Sequence, residues 1–168
     1  MKLQKPILLL SLVVLMSAIP AFAQVEKVAM KTTGISCGAC AAVSEILLRQ
    51  LPGIDKIKIS LSSEAIMVSY KPGATFQPKD IRDALKKTDV GVVQFQISAR
   101  GRVQEQGGKR FFIAGKERFV LAAAANAPQI PSETPVSVEA TINDRVDPME
   151  LKVMTFKLLN DSKNGTGR

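Results

Sequence analysis

Between residues 24 and 98 the hydrophobic positions switch between a two-residue and a 3.6-residue period, and the switches mark the elements. EKVAMKTT sets Val28 and Met30 against Lys27, Ala29 and Lys31, which predicts a strand. After the loop Gly-Ile-Ser-Cys, a helix is expected from Gly38 or Ala39 to Gln50. Its inward stripe would be Cys40, Val43, Leu47 and Leu51 with Ile46 beside it, and Pro52-Gly53 would stop it. IDKIKISL alternates Ile57, Ile59 and Leu61 against Lys56, Lys58 and Ser60, a strand with one wet face. LSSE turns the chain, and AIMVSY returns as the hairpin partner, with Ile66, Val68 and Tyr70 on one side. A second helix should open at Pro78, with Asp80 near its positive end, Phe76 stapled to Ile81, and Ile81, Ala84, Leu85 and Thr88 as its stripe. VVQFQIS closes the region by alternating Val93, Phe95 and Ile97 against Gln94 and Gln96.

The order strand, helix, strand, strand, helix, strand is the ferredoxin-like βαββαβ plan over residues 24–98, an antiparallel sheet with both helices on one face. Beyond it, ARGRVQE, KRFFIAG, ERFVLAAA, VSVEATI and LKVMTFKLL are short strand-like runs separated by turn residues. Five such runs within residues 99–160 predict a small all-β, OB-like barrel, so the fold class is α+β. Residues 161–168, DSKNGTGR, read as a disordered tail.

The first 23 residues change the picture of where the chain works. Lys2 and Lys5 precede an apolar run from Ile7 to Ile19 and the small-x-small sequence Ala21-Phe22-Ala23, the pattern of a secretory signal peptide. The run falls short of the roughly 20 residues a spanning helix needs, so no stable membrane insertion is expected after cleavage. No cysteine follows the cleavage site, which argues against a lipid anchor, and a periplasmic location is expected. Without these residues the 23 Lys and Arg fall to 21 against 15 Asp and Glu, a net charge of +6. The excess is spread along the chain, as on a solvated surface, whereas a nucleic-acid arm would concentrate it.

The chemistry sits in TTGISCGAC, which holds the only cysteines, Cys37 and Cys40, of a chain that has no histidine. A disulfide across so short a loop constrains little unfolded-chain entropy, so the spacing suits metal or redox chemistry better than structural support. The pair falls where a strand ends and a helix begins. Unpaired N–H groups and the helix dipole there favour thiolate over thiol. Gly34 lets the loop fold back, and Gly38 and Ala39 leave it open. A closed tetrahedral zinc site needs four ligands, which this chain does not offer, whereas two thiolates suit a soft ion such as Cu(I) or Hg(II). Lys86 and Lys87 are read as solvent-facing, and Met30, Met67, Met149 and Met154 as packing residues, so none is counted as a ligand.

GISCGAC followed by a helix, LPGI, a lysine-flanked strand and the VSY strand end resembles the heavy-metal-associated domain, whose signature is Gly-Met-x-Cys-x-x-Cys at the first loop and helix start. The resemblance covers residues 25–97. It implies that Cys37 and Cys40 are the metal ligands and that the protein binds and relays Cu(I) or Hg(II), one ion per chain; the second domain is expected to dock to a membrane transporter or efflux component, or to position the metal-binding domain. Ile35 stands where the family has Met, an apolar exchange that should still anchor the loop. The loop after the second helix offers only Val90 to Val93 where the family usually has Tyr, Phe or Lys. Ser36 stands where zinc-tuned members carry an acid.

Two other functions compete. CGAC is close to the CGPC of thioredoxin-like proteins, which makes thiol–disulfide exchange the first alternative, although Ser36 replaces their aromatic. The barrel could be a nucleic-acid or protein binding module, with Arg100, Arg102, Lys109, Arg110, Lys116 and Arg118 near Phe111, Phe112 and Phe119. Export argues against nucleic acid, and alternating phenylalanines are the usual barrel core. No nucleophile with a base forms a recognisable catalytic group, so a monomeric binding protein is expected, not an enzyme.

Overall fold

The computed structural model describes residues 24–123 and 127–159, so the expected leader over 1–23 and tail over 161–168 lie outside the described residues. The elements are β1 (Gln24–Thr33), α1 (Gly38–Arg49), β2 (Ile54–Ser60), β3 (Ala65–Tyr70), α2 (Pro78–Lys86), β4 (Gly91–Gln106), β5 (Lys109–Ala114), β6 (Glu117–Leu121), β7 (Val136–Asn143) and β8 (Glu150–Leu158). The first four strands pair antiparallel in the order β2-β3-β1-β4, the ferredoxin-like arrangement that the periodicity predicts. Val28, Met30, Ile66, Val68, Phe95 and Ile97 are buried on one face of this sheet, beneath the helices.

The second helix follows its pattern closely. Pro78 opens it, and Ile81, Ala84 and Leu85 are buried together with Phe76 at the staple position. In α1 the expected stripe is out of phase. Val43 and Ile46 are 48% and 58% exposed, while Ser44 and Leu48 are fully buried and Ala41 and Leu51 pack beside them. The apolar positions of VSEILL satisfy two helical phases. The one that wins puts Leu48 in the core and tolerates Ser44 because its hydroxyl lies 3.1 Å from the Thr88 hydroxyl. Thr88 itself falls beyond the end of α2 and donates to the Leu85 carbonyl at 2.8 Å. Val93 also departs from expectation. The β1–β4 register slips between Lys31 and Thr32, so Val92 takes the inward position and Val93 turns outward, 49% exposed.

The expected border between residues 98 and 99 falls inside β4, which runs unbroken for 16 residues. Residues 91–100 of β4 pair with β1, residues 95–101 with β7, and residues 102–106 with β5. From β5 the pairing continues to β6, to β8 in parallel, to β7 and back to β4, a closed ring of five strands. Gly101 marks where β4 passes from β1 to β5. A Cβ there would run into the Ile113 carbonyl oxygen and come within 2.8 Å of the Phe112 ring, so only glycine fits. Inside the ring, Ala99, Val103, Phe112, Phe119, Val138, Ala140 and Leu151 are buried in the same apolar cluster that underlies the helices.

Two polar clamps cross from one half to the other. Glu117, at the start of β6, is buried and accepts a 2.6 Å hydrogen bond from the Phe76 backbone N–H ahead of α2. Arg82 of α2 donates to both Asp144 oxygens at 2.6 and 2.9 Å and to the Val92 carbonyl at 2.6 Å. Its guanidinium also lies 4.9 Å from the centre of the Phe95 ring. Burial pushes the Glu117 carboxyl above the usual carboxylate range, and the Arg82 hydrogen bond holds Asp144 below it. Tyr70, buried and near Glu117, has its phenol pushed well up, chiefly by burial.

Candidate metal centre

β1 delivers the chain to Thr33 at one end of the sheet, and five residues later α1 begins. The reversal needs Gly34, whose φ is +85° and whose missing Cβ would sit 2.7 Å from the Asp89 carbonyl oxygen. The loop is thereby held against the segment after α2. Ile35 is fully buried, so the apolar anchor expected at this position is in the core. Ser36 is exposed on the following position.

Cys37 is the N-cap of α1, with extended backbone at φ −136° and ψ 153°. Its carbonyl accepts from the Ala41 N–H at 3.0 Å, and its sulfur accepts from the Cys40 N–H at 3.1 Å. The first turn carries no acidic residue. Negative charge on the sulfurs is therefore met by backbone donors and the helix dipole, with no carboxylate opposing it.

The structure joins Cys37 and Cys40 in a disulfide, with their α-carbons 5.3 Å apart. The expectation was a pair of free thiolates, and the bond is the oxidised form of that pair. Cys37 is exposed and Cys40 half-buried, so both sulfurs meet at the surface within joint reach of one small ion once reduced. Among the described residues, no group of three or more His, Cys, Asp and Glu side chains is placed to hold a metal. The donor set is two sulfurs, which fits a soft two-coordinate ion and not a closed tetrahedral zinc site.

Lys86 and Lys87 are exposed, and Val90 and Val92 are buried. Met30 is buried in the core, whereas Met67 and Met154 are exposed on strands β3 and β8. The Ser44–Thr88 contact, which the sequence pattern did not reveal, ties α1 to the end of α2 one helical turn beyond Cys40. Of the cations grouped with the barrel phenylalanines, Arg118 lies 3.7 Å over Phe111, while Phe112 and Phe119 point into the buried core.

No family model matches the chain. It is 36% identical over 61 residues to copper-transporting ATPase 2 of Mus musculus and 34% identical over 81 residues to that of Homo sapiens. It is 36% identical over 50 residues to the copper-exporting P-type ATPase of Bacillus subtilis (strain 168). These alignments take 36%, 48% and 30% of this chain but only 4%, 5% and 6% of the relatives, so the chain spans about a twentieth of the length of the curated proteins it matches. Similar solved structures include the CopZ metallochaperone, with a TM-score of 0.37 and 22% identity over 40% of this chain and 98% of that one. Another is a putative copper-ion-binding protein from Bacillus anthracis str. Ames, with a TM-score of 0.37 and 23% identity over 42% of this chain and 97% of that one.

Proposed function

We propose that this chain carries a heavy-metal-associated domain over residues 25–97, which its 35–36% identity to parts of copper-transporting and copper-exporting ATPases supports, and that it binds one Cu(I) through the reduced sulfurs of Cys37 and Cys40 and passes it on by ligand exchange. The observation that carries this reading is the donor set: two sulfurs meeting at an exposed helix N-terminus. The relatives named as copper transporters and exporters favour Cu(I) over Hg(II), which the same pair of soft donors also suits.

Binding begins with reduction. A dithiol reductant attacks one sulfur of the bond and is itself oxidised to a disulfide, leaving Cys37 and Cys40 as thiols. The ion displaces their protons and is held by two thiolates against the N–H groups of the first turn. A partner's thiol can then add as a third ligand before a protein sulfur leaves, so the ion is never released free. A membrane copper transporter is the partner this supports, and the leader-like sequence of residues 1–23 favours a periplasmic setting for the exchange. The five-strand ring is proposed to be an OB-like barrel that holds the metal-binding half in place through β4, Glu117 and Arg82.

Native mass spectrometry of the reduced chain, loaded with Cu(I) and Hg(II) in turn and then in competition, tests this. One tightly held Cu(I) per chain, absent from the Cys37→Ser/Cys40→Ser variant, is expected; retention of the ion by that variant overturns the ligand assignment. A second reading draws on the exposed disulfide itself, which suits thiol–disulfide exchange. Rapid reduction of insulin by the dithiol form, with no tight Cu(I) binding, would favour it.

A further inference from the structure

The sheet has a second face, turned away from the helices, and the strand registers fix what it carries. One row of paired positions runs across six strands, through Lys58, Met67, Ala29, Gln96, Thr141 and Lys152. The neighbouring row runs through Lys56, Ser69, Lys27, Ser98, Glu139 and Thr155. Lys31 and Lys157 extend the same face, since Lys31 pairs with Ala65 and Gln94 while Lys157 pairs with Ser137 and, through it, Arg100. Positions between these rows, such as Val28, Val68, Ile97 and Ala140, are buried on the opposite side.

All six lysines, at 27, 31, 56, 58, 152 and 157, are exposed, and none forms an ion pair among the described residues. Few acids oppose them: Glu26 lies 3.0 Å from Arg100, and Glu139, which accepts from the Ser98 hydroxyl at 2.9 Å, is the one carboxylate within the two rows. Asp55 stands in the bulge of β2, at the edge. A wet sheet face normally mixes its charges in equal measure, whereas this one carries six unpaired ammonium groups, on β1, β2 and β8, and is strongly positive. Within it lie two exposed methionines, Met67 and Met154.

We propose that this face docks the protein on an anionic lipid bilayer. Lysine is a compact point charge on a flexible stem, suited to a diffuse layer of anionic headgroups more than to forked recognition of one ligand. Methionines among the lysines can enter the interfacial layer. Single-stranded nucleic acid would instead call for aromatic platforms beside the cations, and the two rows hold none. Docking leaves the helix side, with Cys37 and Cys40 at its end, uncovered.

The test is sedimentation of the full chain with vesicles of phosphatidylcholine containing 30% phosphatidylglycerol, and with phosphatidylcholine alone. Lys27, Lys56 and Lys58 changed together to Gln should lower partitioning onto the anionic vesicles on the order of 100-fold, and the corresponding Lys→Arg variant should retain it. A charge-matched control, Lys79, Lys86 and Lys87 of α2 changed to Gln, should bind like the parent. The apolar residues 7–19 are common to all these chains, so the differences report the face. Binding should also weaken steeply as salt is raised. Equal partitioning by the face variant and the control would overturn the proposal, as would indifference to phosphatidylglycerol. Loss of oligonucleotide retention by the face variant, with no vesicle binding by the parent, would assign the face to nucleic acid and overturn it equally.

Discussion

The Cys37–Cys40 loop and the seam around β4 put opposite demands on their residues. At the loop the chemistry lies in two surface sulfurs, and the surroundings supply a backbone geometry: a left-handed Gly34, an anchored Ile35 and the open end of α1. At the seam no atom is reactive, yet Gly101, Phe95, Glu117 and Arg82 are fixed by neighbours far away in sequence. Binding and stability are therefore held in different places. Each should be removable without the other.

The largest expected effect is at the loop. Cys37→Ser or Cys40→Ser should weaken Cu(I) binding by far more than the roughly 100-fold typical of losing a supporting contact to a metal ligand, measured by competition with a Cu(I) chelator. Thermal unfolding of the reduced variants should match that of the reduced parent, because Cys37 is exposed, Cys40 is half-buried, and neither belongs to the core. At the seam the order reverses: Gly101→Ala should cost about 3 kcal/mol in a denaturant melt, with both halves unfolding in one transition. Separate transitions for the two halves would refute the shared strand and core.

Within α1 the same contrast can be drawn one position apart. Leu48→Ala should cost about 2–5 kcal/mol, whereas Ile46→Ala should stay within about 0.5 kcal/mol. Similar losses for the two would restore the phase that the hydrophobic pattern favoured. A smaller loss than that of Leu48 is expected at the Arg82–Asp144 clamp, about 1–2 kcal/mol for Arg82→Ala. Asp144 is held below its unfolded value by Arg82, so its stabilising share is complete above that unfolded value and is lost as pH falls through the folded one. Asp144→Asn should therefore flatten the acid side of a stability–pH profile. Glu117, raised by burial, acts in the other sense: its protonated form favours the fold, and that share is lost as pH rises through its folded value.

What the sequence made legible follows this division. The β2–β3 hairpin, α2 and the Cys loop announce themselves through local chemistry: alternation, Pro78 at a helix start, glycine where the chain must reverse. The phase of α1 was not legible because burying Ser44 depends on Thr88, 44 residues away. The unity of β4 was hidden by Ala-Arg-Gly-Arg, which reads as a polar junction. In the fold Arg100 faces Glu26, Arg102 faces Glu133, and Gly101 is needed for contact with β5. Nothing in ERFVLAAA marks Glu117 as buried, since the Phe76 N–H it accepts from lies 41 residues away.

The most direct test of the central claim is a Cu(I) titration of the same chain in its dithiol and disulfide forms, in thiol-free buffer against a chelator of known affinity. One Cu(I) per chain, taken up by the dithiol and refused by the disulfide, is predicted. Equal uptake by both forms would contradict it, since the ion would then be held by something other than Cys37 and Cys40.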